Sequence, residues 1–177
     1  MNLKEYKAHL TAVRQKIVEE LPVIANEIAV STLSLIKDRS INEGILIDGK
    51  EGNKAQYSTR PILTSYFKGK ELNRAGTAYI EANKLGTWSA FKAAQGRGSQ
   101  NVNLAYSMRM WTNIQVLRGN ITGDGKFQLI IGGIDAETKK KIEQNTERFG
   151  SFLDPTEDEL SIAQDVAKER LNQIIRG

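Results

Sequence analysis

Leu3, Tyr6, Leu10, Val13, Ile17 and Leu21 recur at intervals of three and four, and Ile24, Ile28, Thr32 and Leu35 continue the pattern. That spacing draws one apolar stripe along a long amphipathic helix. No other feature constrains the chain as much, because so long a stripe has to be covered, and packing on a sheet is the expected solution. Pro22 divides the run, so a kink or short break is expected there. Asp38-Arg39-Ser40 ends the helical region.

The chain has 177 residues, no cysteine and one histidine. That length predicts one domain whose core needs neither disulfides nor metal. Without cysteine there is no thiolate nucleophile and no cysteine-ligated zinc. His9 lies beside Leu10 on a lysine-rich helix with no second ligand at metal spacing, so it reads as a surface residue. The N-terminus is charged every few residues and lacks the apolar core of a signal sequence. No window approaches the roughly 20 apolar residues of a membrane helix. The expectation is a soluble protein made in a reducing compartment.

Residues 44–101 change character. Glycines recur at 44, 49, 52, 69, 76, 86, 96 and 98, separated by polar residues and short apolar clusters. A brief strand at Gly44–Gly49 and short helices at Leu72–Leu85 and Thr87–Ala94 are expected, anchored by Tyr79, Ile80, Trp88 and Phe91. So long a stretch with little periodicity reads as an extended arm that neighbours help to hold. The net charge of +4 is unevenly spread: residues 1–36 balance, 37–98 carry +5, 99–134 carry +2 and 135–177 carry −3. A basic middle and an acidic C-terminal part suit nucleic-acid binding, complementarity between neighbouring copies, or simply a solvated lysine-rich loop.

Residues 102–177 read as a compact module. Val102, Leu104 and Tyr106 alternate as in a strand, Ser107–Asn113 suits one helical turn, and Ile114–Arg118 suits a strand. Asp124-Gly125 marks a hairpin, Phe127–Ile131 returns as its second strand and Gly132-Gly133 stops it. Asp135 caps a helix that runs to about Arg148, with Gly150 as its C-terminal cap. Thr156 and Glu159 form a capping box ahead of a final helix with Leu160, Ala163, Ala167, Leu171 and Ile174 on one face. The fold class is α+β: a small antiparallel sheet packed by long N- and C-terminal helices, in a single domain of 1–177 with the 44–101 arm inserted.

Enzyme chemistry is not expected, and neither is a cofactor or a metal. Gly96-Arg97-Gly98-Ser99 has glycines suited to an anion nest but lacks phosphate-loop spacing. Asn120-Ile121-Thr122 is a formal glycosylation sequon. Glu157, Asp158 and Glu159 suit the positive end of a helix dipole. Two features point to interaction instead. Met108, Met110 and Trp111 crowd around Arg109, either as an interface or as core beneath the sheet. The basic arm interleaves Tyr57, Tyr66, Phe67, Tyr79, Trp88 and Phe91 with charge, as single-strand binders do, but no RNA-binding signature accompanies them and aromatic anchors under a long loop are the commoner arrangement.

Gly96-Arg97, Val102-Asn103-Leu104, the Tyr106-Ser107-x-Arg109-Met110-Trp111 step and Asn113-Ile114-x-Val116 resemble a pattern in tailed-phage tail-completion proteins. These are the Mu-like virion morphogenesis group and related HK97-like tail components. Asn145-x-x-x-Phe149-Gly150, then Phe152-Leu153-x-Pro155-x-x-x-Glu159, resembles that group's closing module, and Trp88-x-x-Phe91 with Gly96 its lead-in. The likeness covers roughly residues 86–175. Met108 stands where the group usually has glycine, and arginine is missing around Pro155. The resemblance implies a virion structural protein at the head–tail junction, as a neck, connector or tail-completion ring. Its partners would be other copies of itself and phage portal, neck or tail proteins, with DNA only passing through the lumen and no membrane contact. Such a protein would be synthesised in the host cytoplasm. Tyr79, Trp88, Phe91, Arg97, Arg109, Trp111 and Phe149 are the candidate subunit-interface residues. The alternative is a nucleic-acid-binding protein that uses the 44–101 arm.

Overall fold

The structure is a computed structural model that describes residues 2–44, 56–98, 100–122 and 126–176. The described residues form an α+β fold with long N- and C-terminal helices and two small antiparallel sheets. The helices are α1 (Leu3–Asp38), α2 (Arg74–Ala82), α3 (Trp88–Ala94), α4 (Arg109–Asn113), α5 (Ala136–Phe149) and α6 (Glu157–Arg176). The strands are β1 (Ile62–Leu63), β2 (Leu85–Gly86), β3 (Ile114–Ile121) and β4 (Phe127–Gly133). The expected strand at 44–49 and the Asp124-Gly125 turn lie almost wholly outside the described residues.

The chain divides into two compact units. One comprises Met1–Ile36, Ile114–Lys139 and Leu153–Gly177; the other comprises Lys37–Asn113 and Lys140–Phe152. This differs from an arm attached to a 102–177 module, because residues 102–113 and 140–152 belong with the middle of the chain.

In the first unit α1 runs unbroken through Pro22. Proline removes one backbone donor, and helical hydrogen bonds on either side carry the helix past it. Its second half packs Ile24 and Ile28 against Ala163 and Ile174 of α6, with Ile17, Ala167 and Leu171 around them. Glu20 pairs with Arg170 at 3.0 Å. Gly119 of β3 lies on Ala25 and Ala29 and pairs with Leu129 of β4, which shares a groove with Leu160, so the start of α6 lies by the second half of α1 and, with Arg170 at Glu20, the two helices run antiparallel.

β3 and β4 pair from Ile114–Gly133 to Ile121–Phe127, with an irregularity between Val116 and Arg118 that makes Leu117 an extra residue. Gly119 approaches α1 closely: a Cβ there would lie 3.1 Å from the Ala29 methyl and 3.2 Å from the Ala25 carbonyl oxygen. The helix starts follow the sequence. Asp135 Oδ1 accepts from the Thr138 amide at 2.8 Å, and Gly150, at φ +82°, closes α5 by donating to the Thr146 carbonyl. Thr156 and Glu159 exchange both capping-box bonds, at 2.8 and 3.2 Å.

In the second unit short helices and turns surround an aromatic cluster of Phe67, Ile80 and Phe91, backed by Tyr79, Trp88 and Tyr106. Val102–Tyr106 is not a strand. Leu104 sits at φ +53° and Met108 at φ +62°, and the segment is held by the side chain and carbonyl of Asn103 rather than by a ladder. Residues 56–98 thus have a hydrophobic centre within their own unit.

Candidate functional site

The aromatic cluster is assembled from α2, α3 and the turn at Thr64–Phe67. Phe67 and Phe91 stack at 4.2 Å with their planes 5° apart, and Trp88 tilts against both at 5.6 Å. Tyr106 lies 5.1 Å from Trp88, and Tyr79 lies 6.1 Å from Phe91. Contacts of this kind each add about 0.5–1.5 kcal/mol beyond burial. Gly86 leaves room for Tyr79, because a Cβ there would overlap its phenol oxygen.

Beside the cluster lies a polar centre that the sequence did not single out. The side chain of Lys92 is fully buried. Its Nζ donates to Tyr57 Oη and to Asn103 Oδ1, both at 2.8 Å, and lies 5.2 Å from the Tyr57 ring centre. Both acceptors are uncharged. Burial, with the neighbouring Arg97 charge adding to it, lowers the Lys92 pKa to about 8. Burial pushes the Tyr57 phenol up, against hydrogen bonds from the Asn103 backbone and the Trp88 side chain. Asn103 also donates to the Ile41 carbonyl and accepts the Trp111 indole proton at its own carbonyl. Gln95 donates to Tyr106 Oη and accepts from the Asn73 amide. The only advance sign of this centre was polar residues set among the aromatic anchors, which does not distinguish a buried lysine from a solvated one.

The seven candidate interface residues separate by burial. Phe91 and Trp111 are 0% and 1% exposed, inside their unit, with Trp111 edge-on to Phe152 at 5.7 Å. For Trp111, of the core and interface readings, the core reading fits this placement. Tyr79 and Trp88 are half-buried flanks of the cluster. Arg97 stacks over Tyr106 at 4.1 Å and donates to the Tyr106 carbonyl. Arg109 is exposed and pairs with Glu71 at 2.8 Å. Phe149 is half-buried, 5.0 Å from the Arg148 guanidinium. These residues share one unit without forming one exposed patch.

Nor do the aromatic residues stand ready to stack on bases. Phe67 and Phe91 are buried, Tyr79, Trp88 and Tyr106 pack on them, and Tyr66 is the exposed exception at 70%. The amides of Gly96 and Arg97 donate to the carbonyls of Ala93 and Lys92, so they close α3 instead of forming an anion nest. Among the described residues no group of three His, Cys, Asp or Glu side chains is placed to hold a metal ion. No described helix is long and apolar enough to cross a membrane.

Exposed apolar surface is the more informative feature. In the second unit Ile62, Leu63 and Leu85 are exposed along the β1–β2 ladder, where Leu63 faces Leu85. In the first unit Leu3, Tyr6 and Leu10 leave the N-terminal part of the α1 stripe uncovered. An open groove of about 360 Å3 runs between β4 and the start of α6, lined mainly by Leu129, Ile130, Ile131, Leu153, Pro155 and Leu160. Clustered exposed apolar side chains are a feature of interaction sites. No protein-family model, curated protein or solved structure matches this chain.

Proposed function

We propose that the protein is a virion structural component of a tailed phage, a head–tail joining or tail-completion protein that works by assembling into a ring and docking between portal or connector and tail. The observation that carries the assembly part is the uncovered α1 stripe, where Leu3, Tyr6 and Leu10 are 72%, 47% and 48% exposed. Aliphatic and aromatic side chains in a line on a helix are costly to leave in water and favour association. The head–tail placement rests on the resemblance of residues 86–175 to tail-completion proteins. The function would be mechanical: shape, contacts between copies and a lumen for DNA.

The test is the composition of purified virions from a phage that encodes this chain, together with the particles formed when the gene is disrupted. The proposal expects the protein in virions at a fixed multiple per particle, and unjoined heads and tails without it. Its absence from virions, or normal particles after disruption, would refute the placement.

A further inference from the structure

The uncovered stripe continues the face that packs against α6. Ile17, Ile24 and Ile28 join α6, whereas Val13, Leu10, Tyr6 and Leu3 on the same face extend past its C-terminal end. Lys7 and Arg14 border that stripe, and residues 1–16 carry four basic side chains against Glu5. The groove along β4 has the opposite rim: Asp154, Glu157 and Asp158 are all exposed beside Leu153, Pro155 and Leu160. One surface is apolar with basic borders and the other is apolar with acidic borders.

Their placement excludes self-closure. Because α6 runs antiparallel to α1, the groove at its start lies beyond Ile28. Leu10 is eighteen residues before Ile28, about 27 Å along a straight helix. A continuous helix cannot bring its own Leu10 back to its own groove.

We infer that the α1 segment Leu3–Lys16 of one copy docks in the groove formed by β4 and the start of α6 of the next copy. Leu3, Tyr6 and Leu10 would enter between Ile130, Ile131, Leu153 and Leu160, with Lys7 and Arg14 facing Asp154, Glu157 and Asp158. This is helix-in-groove recognition, in which apolar anchors supply affinity and charges set orientation. Because the two surfaces differ, the contact is head-to-tail and each copy keeps one stripe and one groove to offer. Repetition closes a ring if the rotation per copy permits. The inference rests on the ring-assembly reading above and specifies the contact that would build it.

The test uses the full chain with Leu10→Glu, which spoils the stripe, and Ile130→Glu, which spoils the groove. Both positions are exposed, and circular dichroism checks that each variant is folded. Masses are measured by light scattering for each variant alone and for their mixture. Head-to-tail docking predicts that wild type assembles and that each variant alone stays at the 19.7 kDa of one chain. The mixture should stop at twice that mass, since only one intact stripe and one intact groove can meet. A second pair covers the case in which Ile130→Glu unfolds. Glu157→Lys with Asp158→Lys should weaken assembly, and adding Lys7→Glu with Arg14→Glu in the same chain should restore it.

Wild type that assembles while Leu10→Glu assembles equally well would overturn the docking contact but leave ring assembly standing. Loss with Leu10→Glu but not with either groove variant would place the stripe on another surface, such as a second stripe. A folded Ile130→Glu chain that fails to pair with Leu10→Glu would also overturn it. Wild type that is monomeric at every concentration would remove ring assembly itself.

Discussion

Lys92 Nζ and Asn103 Oδ1 meet at 2.8 Å inside the second unit, with Tyr57 Oη as the other acceptor. Among the described residues this buried ammonium is held by neutral oxygens, which do little to offset the loss of hydration, and its pKa falls from the ordinary 10.5 to about 8. Above pH 8 the folded chain has released this proton while the unfolded chain keeps it to about pH 10.5. Stability attributable to Lys92 should therefore rise with pH across that window, by on the order of 1–3 kcal/mol. Tyr57, with its pKa raised above 10, works the other way: the unfolded chain ionises first, so stability falls as pH rises above 10. Denaturant melts should show a contribution that rises between pH 8 and 10, and Lys92→Met should flatten that rise. An unchanged slope in that variant would place its origin elsewhere.

Trp111 is buried against Phe152 and donates its indole proton to the Asn103 carbonyl at 3.3 Å. Trp111→Ala leaves a large cavity and removes that bond, so it should cost about 3–5 kcal/mol. The loss should appear in the melting of the isolated chain at concentrations too low for assembly, as expected of a core residue. An unchanged melting temperature there would contradict the interior role.

Met108 holds φ +62° while its side chain is 43% exposed. The strain of that conformation in an L-residue is about 1–2 kcal/mol, and the added freedom of glycine in the unfolded chain offsets about half. Met108→Gly should therefore be neutral or stabilise by up to about 1 kcal/mol, read from denaturant midpoints. A loss above about 1 kcal/mol would mean that the Met108 side chain makes a contact worth more than the strain.

The Thr156–Glu159 box satisfies two amides at the start of α6, next to the groove. Thr156→Ala should cost about 0.5–2 kcal/mol in stability, and Thr156→Ser much less. Equal losses in the two variants would show that the hydroxyl bond is not what matters.

What was legible in the sequence was local. Asp135, Gly150 and the Thr156–Glu159 box act over three or four residues, so composition alone marks both ends of α5 and the start of α6. The α1 stripe was visible because helical periodicity records burial along one face. The stripe does not say where burial stops, however, and Leu3, Tyr6 and Leu10 share the pattern of Ile24 and Ile28 although α6 covers only the latter. Tyr79, Ile80, Trp88 and Phe91 read as anchors, but their convergence with Phe67 and Tyr106 into one cluster was not legible, because they come from separate short elements with no period between them. Val102–Tyr106 looked like a strand because its apolar residues alternate, yet Asn103 holds it through contacts with Lys92, Ile41 and Trp111 that lie far away in sequence. The division into two units leaves no local mark in the sequence, since each is built from separated stretches of chain.

Salt separates the two parts of the proposed contact. Exposed ion pairs are worth about 0–1 kcal/mol and are screened beyond roughly 8 Å at physiological ionic strength, whereas apolar burial does not weaken with moderate salt. Raising salt should slow assembly several-fold, measured by the growth of light scattering after dilution, while finished assemblies persist. Dissolution at moderate salt would show a mainly ionic contact.

The most direct measurement is the mass and shape of the purified chain over a wide concentration range, by native mass spectrometry and negative-stain electron microscopy. A ring-forming virion protein should give one closed oligomer, an integer multiple of 19.7 kDa, with a central opening in projection. A chain that remains monomeric at every concentration, and instead retains single-stranded DNA at low salt, would contradict ring assembly and favour nucleic-acid binding.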